Sequence, residues 1–406
     1  MKTSRRGDGA ARTPRAMTVA GIMSGTSADG IDVAFVRIAP PAASASGAVP
    51  KLKLLAHLAV PYPTAIRKRV LEAMNGTNES VAAMSQLHWR LGQLYAEAVQ
   101  TTLHKYPLSL DLIGCHGQTI YHQAARQRIF GGNVACTWQM GEASVLAARL
   151  NLPVVSDFRP ADLAVGGQGA PLVPLLDYVV FCDAKRNRVL QNLGGIGNLT
   201  VIPANATAED VFAFDTGPAN MVIDAIMAEC FGKRYDARGT VAAHGRVLDT
   251  VAGEFLAQRY FQLPPPKSAG REEFGREFTS RFLARCRKHS PRNQDAVATA
   301  TALTARSIGL AWKRFVQPAL ANAPTDYIVA GGGAKNVTLM KMIAQELASF
   351  SGITVHTSDR FGIPAAAKEA VAFALLAWQT WHRLPGNLPR ATGASRPAIL
   401  GKITYA

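Results

Sequence analysis

Short apolar runs separated by glycine-rich turns dominate the chain, and their spacing predicts an alternating α/β protein. Residues 17–23 (MTVAGIM) predict a buried strand, 24–30 a turn, and 31–38 the returning strand of a hairpin. A third strand is expected at 52–60. Helices are expected at 64–75 and 80–105, the second stopping before Pro107. A short strand at 112–115 should lead into His116-Gly117-Gln118-Thr119, followed by a helix at 142–150. The pattern then repeats. Strands are expected at 153–157, 189–193, 199–202, 211–214 and 327–330, with helices at 295–317, 338–350 and 364–382. Asp215-Thr216-Gly217-Pro218 is expected to open a further helix ending at Gly232. Strands then helices, twice over, imply two similar α/β halves around a cleft. The expected division is a tail at 1–16, a first domain at 17–150 with 364–406 packing back on it, and a second domain at 151–363.

Five glycine-rich stations lie beside these apolar runs: 23–30, 166–169, 194–197, 215–218 and 331–333. Glycine lets main-chain N–H groups approach an anion closely, so the set points to phosphate binding. The GxxxxGK[ST] phosphate loop is absent, as is a GxGxxG turn with an acid placed for a ribose. Those absences argue against P-loop kinases and dinucleotide enzymes.

Three stretches carry candidate chemistry. In Asp157-Phe158-Arg159-Pro160-Ala161-Asp162, either carboxylate is a candidate general base beside the 166–169 glycines. Asp215, between a strand end and a helix start, suits Mg²⁺-bound water or a phosphate. Gly331, Gly332 and Gly333 follow a strand and offer flat backbone to a nucleoside. Glu369 near the last helix start is explained equally by helix-dipole complementarity. His116 and His122 lack partners at metal-ligand spacing and read as structural or substrate-contacting residues.

Composition narrows the class. The 406 residues suit roughly two to three domains, and 48% apolar content supplies their cores. No run approaches the ~20 apolar residues of a membrane span. The net charge of +16 is scattered without a nucleic-acid motif, and so reads as a solvated surface. Five cysteines, none spaced as CxxC, argue for a reducing compartment without disulfides or zinc. Residues 1–16 are basic but lack the apolar segment of a secretion signal, so a disordered tail is expected.

The ordered set GIMSGTSADGID, GCHGQTIYH, SDFRPADLAVGGQGAPLVP, NLGGIGNLT, FDTGPANMVIDA, PPPKSAGREEF, VAGGGAKN and GNLPRATGAS resembles the anhydro-N-acetylmuramic acid kinases from Met17 to the C-terminus. The resemblance implies a duplicated actin-like ATPase (ribonuclease H-like) fold with two domains around a central ATP and substrate cleft. It implies a cytoplasmic, homodimeric enzyme of peptidoglycan recycling, using ATP and Mg²⁺, with neither nucleic acid nor membrane as partner. Its substrate would be 1,6-anhydro-N-acetylmuramic acid, opened by water and phosphorylated on O6. Residue by residue, it implies Asp162 as catalytic base and Gly25, Thr26, Ser27, Ala28, Asp29, Gly30, Ile31 and Asp32 as an ATP-binding stretch joined by Gly331–Gly333. His116, Gln118, Arg159 and Glu369 are implied on the substrate side. Asp215, Thr216 and Gly217 are implied near metal and phosphate. Two departures from the family pattern are Ala219, where glycine is usual, and the absence of an acidic pair just before Glu369.

Overall fold

The computed structural model describes residues 14–41, 49–76, 79–357 and 363–406. Most of the expected basic tail and of the Ala/Ser/Pro loop lies outside the described residues. The chain divides into two compact units, Met1–Val179 with Ala366–Ala406, and Val180–Ala365.

The first unit is built on β1 (Met17–Ser24), β2 (Gly30–Ala39), β3 (Lys51–Pro61), β4 (Leu112–Ile129), β5 (Gly132–Met140) and β6 (Val154–Ser156), closed by a C-terminal strand Lys402–Thr404. The order runs from the C-terminal strand through β6, β4, β1 and β2 to β3, with β5 paired to β4. β1, β2 and β3 are antiparallel neighbours; β4 runs parallel to β1, and β6 parallel to β4. The second unit has β7 (Asn187–Leu193), β8 (Ile196–Ile202), β9 (Phe212–Pro218), β10 (Thr325–Ala330) and β11 (Ile353–Thr357), ordered β11-β10-β7-β8-β9. There too three antiparallel strands are followed by two parallel ones. The same order 3-2-1-4-5 occurs twice, which is the duplicated ribonuclease H-like pattern of actin-like ATPases.

Alternation along β1 explains how the first sheet is covered. Ala20 and Ile22 join a core with Leu91, Tyr95 and Val99 of the helix α2 (Val81–Lys105). Gly21, between them, faces the other side. There the final long helix, Lys368–Trp381, lies so close that a Cβ on Gly21 would sit 1.8 Å from the Ala370 carbonyl oxygen. Gly114 of β4 makes the same approach, 2.3 Å from the Phe373 carbonyl oxygen. In the second unit, Val189, Leu199 and Phe214 pack with Ile308, Leu339 and Ile343 of the helices Asn293–Ala311 and Val337–Ala348.

Three differences from the sequence expectations matter. The unit boundary falls at 179/180 instead of 150/151, because Val154–Ser156 completes the first sheet beside β4. The expected short strand at 112–115 is the root of an 18-residue strand that folds back through β5. Its outer half, with Gln, Arg and Ala in place of alternating apolar residues, carries no period-2 signal. Residues 215–218 end β9 and do not open a helix; the helix Asn220–Phe231 begins after them. The run Gly194-Gly195 is the β7–β8 turn, and its carbonyls accept the N–H groups of Ala219, Asn220 and Met221. That backbone cap replaces a side-chain cap. Ala219, at φ −117° and ψ −108°, is the residue that precedes this helix, and it is fully buried.

Gly21→Val should cost about 3 kcal/mol through forced displacement of the final helix. Gly253→Ala, at a helical position with open space around it, should be neutral or slightly stabilising. Denaturant melts of the two variants check the contrast.

Candidate active site

In the first unit the β1–β2 turn is braced from below. Gln118 is fully buried; its Oε1 lies 2.7 Å from Ser24 Oγ, and its Nε2 donates to the Gly25 carbonyl at 3.2 Å. The Ala28 N–H closes the turn onto Gly25 O at 3.1 Å. Thr26, Ser27 and Asp29 remain exposed, whereas Ala28 and Ile31 are in the core. Gly25 to Gly30 therefore present backbone and hydroxyls outward, while the Ile31 side chain is spent on packing. Asp32 accepts a hydrogen bond from His57 Nε2 at 2.9 Å when that nitrogen is protonated, and Asp29 pairs with Arg67 at 3.1 Å.

Asp162 sits on the short helix α4 (Phe158–Ala164) with no exposed surface. Its Oδ2 accepts from Gly169 N–H at 2.7 Å. Its Oδ1 accepts from Asn387 Nδ2 at 2.6 Å and Thr392 Oγ at 2.7 Å. Arg159, one turn earlier, donates through Nε to His116 Nε2 at 2.9 Å and through Nη1 to Gly169 O at 2.7 Å. Burial pulls the Arg159 guanidinium down to about 10, against the opposing pull of Glu369 and Asp162. His116 gives Nδ1–H to Gly117 O at 2.7 Å and is packed on Phe373. Burial first, then Arg159, hold it well below the usual histidine range, so it is neutral and accepts from Arg159. Glu369 keeps an exposed edge, yet the protein around its carboxyl raises it; Arg159 opposes the rise and Asp32 adds to it. Just before Glu369, Lys368 pairs with buried Asp177 at 2.6 Å. Asp157, the other candidate base, pairs at the surface with Lys402. The fold thus gathers His116, Arg159, Asp162 and Glu369, and turns Gln118 to bracing.

In the second unit Asp215 is gripped by the 260–269 segment. Its N–H donates to Lys267 O, its Oδ2 accepts from Ala269 N–H at 2.8 Å, and its carbonyl accepts from Tyr260 Oη at 2.9 Å. Burial raises the Asp215 carboxyl to about 6, the Ala269 bond and Lys267 opposing. Thr216 donates to Gly197 O, and Gly217 has φ +145° with the Phe261 ring 2.6 Å from where a Cβ would stand. Lys267 is buried, its Nζ bonded to Tyr260 O at 3.2 Å and 4.9 and 5.2 Å from the rings of Tyr260 and Phe315. Burial first, then Arg314, lower it to about 8.

Gly331 has φ +86°, and a Cβ there would meet Leu193 O at 2.8 Å, so only glycine fits. Gly332 faces a cavity of ≈ 400 Å³ lined by Asn220, Asp224, Arg234, Tyr235, Lys335 and Asn336, among others. Burial raises the Asp224 carboxyl to about 6, Arg234 opposing. Sequence reasoning missed these cavity residues because they are scattered over 220–238 and 332–336. It also missed Asn387 and Thr392, although both lie inside the motif GNLPRATGAS.

Lys267 generates a pH prediction. Its folded value near 8 lies below its ordinary 10.5, so between those values the unfolded chain holds a proton that the folded chain has released. The stability contributed is present above 10.5 and lost as pH falls through 8. Lys267→Met should therefore be most stable relative to the natural protein near pH 7, the difference shrinking towards pH 10. Denaturant midpoints across that range check it.

The family model described as anhydro-N-acetylmuramic acid kinase matches residues 17–406. The anhydro-N-acetylmuramic acid kinase of Bacillus cereus (strain AH187) is 43% identical over 392 residues, covering 96% of this chain and 99% of that protein. The kinase of the same name from Bacillus thuringiensis subsp. konkukian (strain 97-27) is 41% identical with the same coverage. Among solved structures, a ROK family glucokinase from Streptomyces griseus in complex with glucose and AMPPNP is 13% identical. It covers 89% of this chain and 99% of its own, with a TM-score of 0.38. With matches that run almost end to end along the sequence, this chain belongs to the anhydro-N-acetylmuramic acid kinase family.

Proposed function

We propose that this protein hydrolytically opens the 1,6-anhydro ring of 1,6-anhydro-N-acetylmuramic acid and phosphorylates O6 from ATP. The products are N-acetylmuramic acid 6-phosphate and ADP, and the setting is cytoplasmic peptidoglycan recycling. The observation that carries this reading is the Asp162 carboxylate, which stands on the helix that also carries Arg159 and is held by three donors from outside that helix.

In this reading Asp162 takes a proton from water as the water oxygen bonds to C1. The C1–O6 bond breaks, its electron pair goes to O6, and O6 attacks the γ-phosphorus as ADP leaves. The proton on Asp162 is given up to water that enters as the products leave. Arg159 and neutral His116 line the same region and supply a positive charge and a polar ring to the sugar. Water attack, not mere deprotonation of a hydroxyl, is what distinguishes this chemistry from that of an ordinary sugar kinase.

Two groups of residues suit parts of ATP. The exposed backbone of Gly25–Gly30 suits phosphate oxygens. The cavity beside Gly332, with the exposed Tyr235 ring and the polar groups of Asn220 and Asp224, suits a nucleoside. Among the described residues no three His, Cys, Asp or Glu side chains group as a metal cage. Mg²⁺ keeps waters and phosphates as most of its ligands and needs only one or two carboxylates. In this reading Asp215, half-buried with one oxygen committed to Ala269, would hold one of its waters. Bound Mg²⁺ would neutralise charge on the transferring phosphoryl group.

Asp162→Asn should lower turnover about 10³-fold while ATP affinity stays within twofold. Run in ¹⁸O-water and quenched early, the natural enzyme should place the label at C1; label-free product would show simple kinase chemistry. Separately, Gly332→Leu should raise KM for ATP at least about tenfold without altering the melting temperature. The Cβ at 332 has only Asn220 Nδ2 near it, at 3.8 Å, and points at the cavity space.

A further inference from the structure

We propose that Asn387 and Thr392 are positioning residues for Asp162, and that together they reserve its Oδ2 as the oxygen that receives the proton. This rests on the reading of Asp162 as the base.

The argument is a count of lone pairs. An ionised carboxylate offers about four acceptor sites, two on each oxygen. Oδ1 is filled twice, by Asn387 Nδ2 at 2.6 Å and by Thr392 Oγ at 2.7 Å. Oδ2 is filled once, by Gly169 N–H at 2.7 Å. One acceptor site remains without a donor among the described residues, and it is on Oδ2; because Asp162 is fully buried, water reaches it only when the surrounding segment opens.

The orientation of each donor is fixed by its other bonds. Asn387 Oδ1 accepts Ala398 N–H at 2.7 Å, which turns the amide so that Nδ2 meets Asp162. The second Nδ2 hydrogen goes towards Arg396 O at 3.4 Å. Thr392 Oγ accepts weakly from Ala394 N–H at 3.4 Å, so its own proton is available to Oδ1. Neither side chain can swivel away without breaking another bond. The backbone agrees: Gln168 N–H donates to Thr392 O, and Ser395 N–H donates to Val165 O. The C-terminal segment is therefore stitched to the turn that follows α4, on both sides of the carboxylate.

Gly167 completes the arrangement. A Cβ there would lie 2.1 Å from Oδ2 and 2.6 Å from the carboxyl carbon. Any side chain at 167 would push the carboxylate off its donors. A carboxylate that merely capped a turn would need only the Gly169 N–H. Two further donors from more than 220 residues away, aimed at the other oxygen, fix the rotation of the carboxyl plane. Rotation is what a base must control, since proton transfer needs the accepting lone pair aligned with the attacking water.

The test compares Thr392→Val, Thr392→Ser, Asn387→Leu and Asp162→Asn in full-length protein, with kcat, KM for each substrate and melting temperature measured on all four. The expected result is that Thr392→Val lowers kcat about 10- to 100-fold, leaves both KM values within twofold, and that Thr392→Ser restores most of the loss. Asn387→Leu should act in the same direction. Because Asn387 also holds Ala398, its variant should lose stability as well, and Thr392 carries the decision. If Asp162→Asn retains near-normal turnover, the base reading itself falls. If Asp162→Asn is inactive but Thr392→Val turns over normally, the positioning role is wrong. A Thr392→Val defect that appears in KM or melting temperature alone, or that serine fails to rescue, identifies a purely structural clamp and overturns the proposal.

Discussion

Two backbone-to-backbone approaches hold the first unit's chemistry together. Gly21 and Gly114 let the final long helix settle directly on the central strands β1 and β4, with its carbonyls where side chains would otherwise stand. That contact brings residues 366–406 back to a sheet whose other strands end by residue 156. Everything distinctive about the Asp162 region follows from it. Phe373 on the helix packs the His116 ring, Glu369 adds its charge near Arg159, and the segment beyond the helix delivers Asn387 and Thr392. The energy of burying Ala, Leu and Phe along that helix is what holds a charged group in a site with no solvent contact.

The two units treat buried charge differently. Asp162 is satisfied by neutral donors, while Arg159 on the same helix is bonded to His116 and Gly169. Asp215 has one backbone donor and a buried lysine nearby that does not bond it directly; Lys267 rests on aromatic faces and one carbonyl. The first arrangement fixes orientation. The second leaves two groups whose protonation lies close to neutrality, Asp215 near 6 and Lys267 near 8, because burial penalises both charges while their mutual attraction offsets only part of that cost.

Much of this was legible in the chain. Apolar runs bounded by glycine-rich turns located β1, β2, β3, β7, β8, β9 and β10, and the motif order led to the family. The signals failed where the physics is non-local. The outer β4–β5 hairpin mixes polar residues with exposed Tyr121, Val134 and Trp138, so its pairing is set by cross-strand bonds and not by a buried face. Strand β6 is three residues long, too short to announce which sheet it joins. Residues 215–218 have the composition of a helix start, yet they remain in the ladder opposite β8 until Pro218 pairs with Ile196.

By itself, the sequence determined the kind of machine: an α/β chain with glycine turns for anions, an acid in DFRPAD, and the ordered motifs of one kinase family. Only the tertiary structure decided which groups surround that acid. Hydrogen bonds between positions 162 and 392 leave no local periodicity, because each end is chosen to suit a partner that arrives through packing of the final helix.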